Sequence, residues 1–256
     1  MSKGLLDPKV DFVFKNIFGS PNHPEILISF LNATLKAKKK IVNVDIKKTD
    51  IEKQYIEDKY SRLDVKATTS NDEIINIEIQ LKNENNMVKR SLYYLSKMYE
   101  EQLNEKEDYS KLVRTVCINI LNFKYLKTDN FHTGYRFKEI ESNEELTDIM
   151  EVHFIEIPKL QDSSDEKDML VAWTEFLKDP ESEKVRGLEL SIEEIRQAKD
   201  ELIRMSNDST QRELYDMRAN SLRDKMSELN AAERKGIEKG REEGREEGRK
   251  EEKIKI

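Results

Sequence analysis

Two short runs of alternating apolar residues, joined by a polar turn, constrain the fold of this 256-residue chain most strongly. Apolar residues occupy every second position in the run from Leu63 to Ala67 and again in the run from Ile75 to Leu81. A period of two predicts β-strands with one apolar and one polar face. The segment between the runs, residues 69–73, is rich in turn-forming side chains, so an antiparallel hairpin is predicted.

The register of this hairpin follows from matching its apolar positions. A turn centred near Asn71 pairs Leu63 with Ile79, Val65 with Ile77 and Ala67 with Ile75, and on the polar face it pairs Asp64 with Glu78, Lys66 with Asn76 and Arg62 with Gln80. A slip of one residue would mix the two faces. Directly opposed side chains lie about 4.5 to 5.5 Å apart at Cβ. We therefore expect the carboxylates of Asp64 and Glu78 to be close enough to bind one cation.

Helical and strand-like patterns alternate along the rest of the chain. The sequence predicts two helices, from Asp7 to Gly19 and from Pro24 to Leu35, followed by a strand at residues 41–46. After the hairpin it predicts a long helix that is capped by Asn85 or Asn86 and buries Val88, Leu92, Leu95, Tyr99 and Leu103. Strands are predicted at residues 113–121, 134–140 and 152–157, and helices beyond Pro158.

Composition limits the classes of protein that this chain resembles. A hydrophobic content of 36% permits a modest core. No apolar run approaches the roughly 18 residues of a membrane span, so we expect a cytoplasmic protein without a membrane partner. The formal net charge is −7, of which residues 161–256 carry −6, so the acidity lies mostly outside the predicted hairpin. The single cysteine, Cys117, stands in an apolar run and is expected to pack in the core.

Several functional classes find no support in the sequence. His23, His132 and His153 have no metal-ligand spacing with one another or with Cys117, so we expect them at the surface or in loops. The sequence contains neither a glycine-rich phosphate loop nor a nucleophile elbow, which argues against an NTPase and a serine hydrolase.

Five short motifs together resemble a known family. They are Asp11–Phe18 in the first helix, Arg62-Leu63-Asp64-Val65 and Glu78-Ile79-Gln80 in the hairpin, Arg90-Ser91-Leu92-Tyr93-Tyr94 in the next helix, and Asp108-Tyr109 before the next strand. This combination resembles the PD-(D/E)XK nuclease superfamily and, more narrowly, the Rpn family of recombination-promoting nucleases and transposases. The resemblance implies a restriction-endonuclease-like α/β core, a mixed central sheet flanked by helices, with a helical C-terminal extension.

The resemblance also implies a metal-dependent DNA endonuclease that acts in recombination or mobile-element biology. Asp64, Glu78 and the main-chain carbonyl of Ile79 would hold Mg²⁺ or another divalent cation. The superfamily usually has a lysine where this chain has Gln80, as in the narrower family. Glutamine orients water but carries no charge, so we expect Lys66 or Arg62 on the same strand face to supply it.

Two further assignments have alternatives that the sequence leaves open. Asp11 is either an additional carboxylate of the site, as the resemblance implies, or an exposed ion-pair partner of Lys15 one helical turn away. The residues Arg90, Tyr93, Tyr94 and Lys97 share one face of the helix that follows the hairpin. They either contact the phosphates and bases of DNA or contribute aromatic side chains to the core.

The C-terminal part of the chain is predicted to be helical and then strongly charged. We divide the sequence into a nuclease-like domain at residues 1–160, a helical extension at 161–232 and a glycine-repeat tail at 233–256. The tail is either disordered or a helix that forms a homo-oligomer. For the whole protein, the alternatives to an endonuclease are a non-catalytic relative that binds nucleic acid or protein and a helical assembly protein.

Overall fold

The computed structural model describes residues 4–36, 39–47, 65–165 and 167–254, together with the side chains of these residues except at 225, 226, 229, 233 and 246–254. Its centre is a six-stranded sheet in the order β1-β2-β3-β4-β6-β5. The strands are β1 Val44–Lys47, β2 Val65–Thr69, β3 Ile74–Gln80, β4 Thr115–Leu121, β5 His132–Lys138 and β6 Glu145–Glu156. Strands β3, β4 and β6 run parallel, and the remaining neighbours are antiparallel. The predicted mixed α/β sheet is confirmed.

The predicted hairpin is formed by β2 and β3. Val65 pairs with Ile77, Lys66 with Asn76 and Ala67 with Ile75, as the alternation of apolar residues predicts. Asp72 adopts a φ of 61° in the turn, a left-handed conformation that a short polar side chain tolerates. The predicted pairs of Arg62, Leu63 and Asp64 lie outside the described residues.

Seven α-helices occur in the described residues. They are α1 Asp11–Phe18, α2 Pro24–Leu35, α3 Met87–Glu100, α4 Met169–Lys178, α5 Glu183–Glu189, α6 Glu193–Asn207 and α7 Ser209–Ile254. The first begins later than its predicted start at Asp7. Residues 7–10 form a turn instead, because the Asp7 carboxylate accepts a hydrogen bond from the backbone N–H of Lys9, at 2.9 Å.

The two faces of the sheet are covered by different helices. Val65 and Ile77 are paired and share one face, and Gly19 at the end of α1 lies against Val65, where an added Cβ would be 3.3 Å from its Cγ2. Glu78 points to the opposite face, which α3 covers. The apolar contacts between α3 and this face come from Met87, Tyr94, Leu95, Met98, Cys117, Leu121, Val152 and Phe154. Cys117 is buried and unpaired, which confirms the predicted core position.

The buried face of α3 differs from the predicted stripe. Val88 and Leu92 are exposed, whereas Met87, Ser91, Tyr94, Leu95 and Met98 are buried. The sheet beneath the helix carries polar side chains, and the Ser91 hydroxyl donates a hydrogen bond to Asn119 Oδ1 at 2.8 Å. Because this hydrogen bond requires Ser91 to face the sheet, α3 is rotated about its axis relative to the orientation that apolar spacing alone predicts.

Helices α4 and α6 pack against α1 and α2 and belong to the same compact unit as the sheet. Trp173 of α4 is fully buried, with its ring centroid 5.3 Å from that of Phe18. The chain divides into compact units at residues 1–212 and 213–256, so the residues that we assigned to a helical extension are shared between the two. The glycine-repeat tail lies within α7 as far as Ile254. None of the helices in the described residues has the length and apolar composition of a membrane span.

Candidate metal and nucleic-acid site

The Glu78 carboxylate is the centre of the candidate site. Its side chain is only 1% exposed, beneath α3, and Oε2 accepts a hydrogen bond from Arg90 Nε at 3.2 Å. The other oxygen, Oε1, is buried and has no hydrogen-bond partner among the described residues. A buried carboxylate oxygen without a donor is costly, so this atom is suited to a cation or a water molecule.

The electrostatic environment of Glu78 has two opposing contributions. Burial disfavours the charged carboxylate and raises the pKa of Glu78 above its usual range. The nearby Arg90 guanidinium opposes this effect most, the Asn76 side chain opposes it to a smaller extent, and both favour the ionised form. A divalent cation beside Oε1 would add positive charge there and would favour the ionised carboxylate further.

A row of polar side chains continues from Glu78 across the sheet face under α3. Asn76 donates from Nδ2 to Cys117 Sγ at 3.7 Å, and its Oδ1 has no hydrogen-bond partner among the described residues. Asn119 is the neighbour of Glu78 on β4, accepts a hydrogen bond from Ser91, and donates to the main-chain oxygen of His153 at 3.1 Å. Sequence reasoning missed Asn119. Its position in the middle of an otherwise apolar strand was the available signal.

The other residues predicted for metal binding and catalysis lie on β2, β3 and α1 where the structure describes them. Lys66 is directly opposite Asn76 on β2 and therefore shares the face of Glu78. Ile79 and Gln80 complete β3, and Gln80 is half-buried at its end.

Asp11 is half-buried at the start of α1, where Oδ1 accepts a hydrogen bond from the N–H of Phe12 at 2.8 Å. Asp64 lies outside the described residues.

The four residues predicted for nucleic-acid binding have different environments. Tyr94 is buried between α3 and the sheet, and the Arg90 guanidinium lies 5.2 Å from the centroid of the Tyr94 ring. Tyr93 is 52% exposed. Lys97 is partly exposed and forms ion pairs with Glu100 and Glu101 on its own helix. Only Arg90 of the four therefore contacts the candidate carboxylate.

The described residues fit a divalent cation only in part. No group of three or more His, Cys, Asp and Glu side chains in the described ranges is arranged to hold a metal ion. Glu78 supplies one oxygen of the type that Mg²⁺ prefers, and its partnerless Oε1 fits that role. The second predicted carboxylate, Asp64, lies outside the described residues, so the described residues supply one of the two predicted carboxylates.

A second polar cluster lies on the sheet face opposite Glu78. Arg114 pairs with both Glu73 and Glu151, and Glu151 accepts a hydrogen bond from His153 Nε2 at 2.8 Å. His153 Nδ1 is 2.9 Å from His132 Nε2. The expectation of surface or loop histidines is therefore wrong for His153, which is buried in β6, because Glu151 and His132 satisfy both of its ring nitrogens.

The mixed sheet, the helices on both of its faces and the buried carboxylate on β3 define the PD-(D/E)XK nuclease-like class of fold. Residues 8–232 match the family described as PD-(D/E)XK nuclease family transposase, and the chain therefore belongs to this family. The resemblance that the sequence motifs indicate is confirmed. Comparisons with curated proteins and with solved structures found no match.

Proposed function

We propose that the protein is a divalent-metal-dependent DNA endonuclease that acts in DNA recombination or in the movement of mobile elements. The observation that carries this proposal is the buried Glu78 carboxylate, with one oxygen held by Arg90 and the other without a partner in the described residues. Membership of a nuclease family supports phosphodiester hydrolysis as the reaction class. The recombination role follows from the resemblance alone.

Each predicted site residue has a role in this proposal. Glu78, Asp64 and the main-chain carbonyl of Ile79 would hold Mg²⁺. When bound, the cation would lower the pKa of the attacking water and offset the charge that develops on the phosphate. Gln80 would orient the water through hydrogen bonds. Lys66 would supply the positive charge that Gln80 lacks, and Asp11 would act as an additional carboxylate.

The DNA would lie along the exposed side of α3. Arg90 would contact a phosphate, exposed Tyr93 would stack on a base or sugar, and Lys97 would contribute charge. Tyr94 would not contact the DNA itself but would support Arg90, because its ring is buried beneath the Arg90 guanidinium. We also propose a cytoplasmic location and a homo-oligomer formed through α7, which follow from the sequence patterns described above.

A non-catalytic relative that binds nucleic acid is the second candidate. Two observations favour it: Gln80 stands where the superfamily usually has lysine, and a protein cation, Arg90, already contacts Glu78. In that case the polar sheet face would be retained for structure or binding, without phosphodiester hydrolysis.

Plasmid nicking in the presence of Mg²⁺ distinguishes the two candidates. We expect the wild-type protein to nick supercoiled DNA, chelation of the metal to stop nicking, and Asp64→Ala and Glu78→Ala to reduce it to the level without metal. Glu193→Gln is the matched control, because it removes an exposed carboxylate from α6. Nicking that survives both alanine substitutions would refute this site. DNA binding without nicking by the wild type would favour the non-catalytic candidate.

A further inference from the structure

Arg90 uses only part of its hydrogen-bonding capacity inside the protein. Its Nε–H donates to Glu78 Oε2 at 3.2 Å, and its guanidinium lies 5.2 Å from the centroid of the Tyr94 ring. The terminal amino groups, Nη1 and Nη2, make no hydrogen bond to any of the described residues. An arginine side chain has five N–H donors, so four of them make no hydrogen bond to the described residues, and the nearby Glu84 carboxylate acts on the same guanidinium through its charge.

The surroundings of Arg90 hold the guanidinium in one orientation. The side chain is 22% exposed, so part of it reaches solvent beside the buried carboxylate. The Tyr94 ring supports the planar cation, and Glu78 fixes the edge that carries Nε. A fixed guanidinium with free terminal amino groups has the fork geometry that binds two oxygens of one phosphate.

We propose that Arg90 is a positioning residue for Glu78 and, through Nη1 and Nη2, a binding residue for a phosphate of the DNA strand. This inference rests on the proposed function. The Nε–H holds Glu78 Oε2, so that Oε1 alone is presented to the cation. The same guanidinium, which is partly exposed, would bind a backbone phosphate through Nη1 and Nη2.

The two roles of Arg90 are separable by substitution. In glutamine, Nε2 occupies the position along the side chain that Nε occupies in arginine, so Arg90→Gln keeps a donor for Glu78 and loses the terminal amino groups. In Arg90→Met a methyl group occupies that position, so the donor is lost as well. Both variants remove one positive charge, and any difference between them reports the hydrogen bond to Glu78.

The phosphate contact is tested by the salt dependence of DNA binding. Fluorescence anisotropy of a labelled duplex is measured on full-length proteins that keep wild-type Glu78, with EDTA in place of a divalent cation. The metal that cleavage requires is then absent, and the carboxylate that holds Arg90 is retained. We expect both Arg90 variants to reduce the slope of log K against log salt concentration by about one. Arg196→Gln, which removes an exposed arginine from α6, should leave the slope unchanged. An unchanged slope in Arg90→Gln would overturn the phosphate contact.

The positioning role is tested by Mn²⁺ binding without DNA, measured by titration calorimetry on proteins that carry wild-type Glu78. We expect Arg90→Met to bind Mn²⁺ about tenfold more weakly than Arg90→Gln, the size of effect typical of groups that orient metal ligands. Equal affinities would overturn positioning. If Arg90→Met is unfolded at the assay temperature, Arg90→Gln is compared with the wild type, and a loss of more than about tenfold in Arg90→Gln would overturn it. Neither readout requires nicking, so failure of the proposed function is distinguishable from failure of this inference.

Discussion

At the scale of single residues, burial determines which charged groups have fixed partners. His132 lies at one end of a chain of side chains that continues through His153, Glu151 and Arg114 to Glu73. Burial lowers the pKa of His132 to about 4, and the neighbouring His153 and Lys36 act in the same direction. A neutral His132 is therefore part of the folded structure, and protonation opposes folding.

We expect the protein to lose stability as the pH falls from about 6.5 towards 4. Within this window the unfolded chain takes up a proton at residue 132 that the folded protein excludes, because the ordinary value of the histidine pKa is 6.5 and the folded value is about 4. His132→Gln removes this titration while keeping a donor for His153 Nδ1. Urea denaturation between pH 4.5 and pH 8 should therefore show a flatter pH dependence for the variant.

The control for this prediction is Phe137→Leu, which changes a half-exposed apolar side chain on the same strand and removes no titratable group. This variant should retain the wild-type pH dependence. Equal slopes for the wild type and His132→Gln would show that His132 does not couple folding to pH.

At the scale of secondary-structure elements, β5 depends on one glycine for its fit against β6. A Cβ added to Gly134 would lie 3.0 Å from Cε1 and 3.3 Å from Nδ1 of the His153 ring. Because both ring nitrogens of His153 are engaged, at 2.9 Å with His132 and 2.8 Å with Glu151, the ring has little freedom to move away. The close approach of β5 to β6 therefore requires a residue without a side chain.

We expect Gly134→Ala to lower the free energy of unfolding by about 1 to 3 kcal/mol, the range typical of overpacked sites. Denaturant unfolding monitored by circular dichroism measures this change. Gly187→Ala is a useful comparison, because an added Cβ on α5 meets no atom within 4 Å. A Gly134→Ala protein as stable as the wild type would indicate that the histidine pair can shift.

The elements also differ in how far the sequence predicts them. The β2–β3 register is confirmed in the described residues because a shift of one position would turn every apolar side chain to the wrong face. The buried face of α3 is not predicted correctly, because a helix tolerates rotation and its orientation depends on Asn119 and Glu78 of the sheet below. Similarly, the strand β6 is longer than predicted, since its first half pairs only with β5.

At the scale of the whole molecule, α7 is a 46-residue helix that contains the glycine repeat. Added Cβ atoms at Gly236, Gly240 and Gly244 would meet no atom within 4 Å outside the local helix backbone. Glycine destabilises a helix by about 1 kcal/mol relative to alanine. No contact that the structure describes at these three positions therefore requires glycine.

We expect simultaneous substitution of these three glycines by alanine to increase the helical signal in circular dichroism and its resistance to heat. Gly4→Ala, outside the helices, should leave both unchanged. Light scattering on the same samples measures the mass in solution. A helical signal that falls, together with a smaller mass, would contradict this expectation and would indicate that the methyl groups obstruct helix packing in the homo-oligomer that we propose.

The sequence alone determines the alternation of β2 and β3, the pairing of their described residues and the motifs that identify the family, because these depend on local period and on residue order. Tertiary structure decides that Glu78 is almost fully buried, that Arg90 is its partner, and that Tyr94 lies under the guanidinium while Tyr93 is exposed. These features depend on how α3 packs against the sheet. The physical reason is that side chains distant in sequence compete for the same buried space, and only the packed structure shows which of them meet.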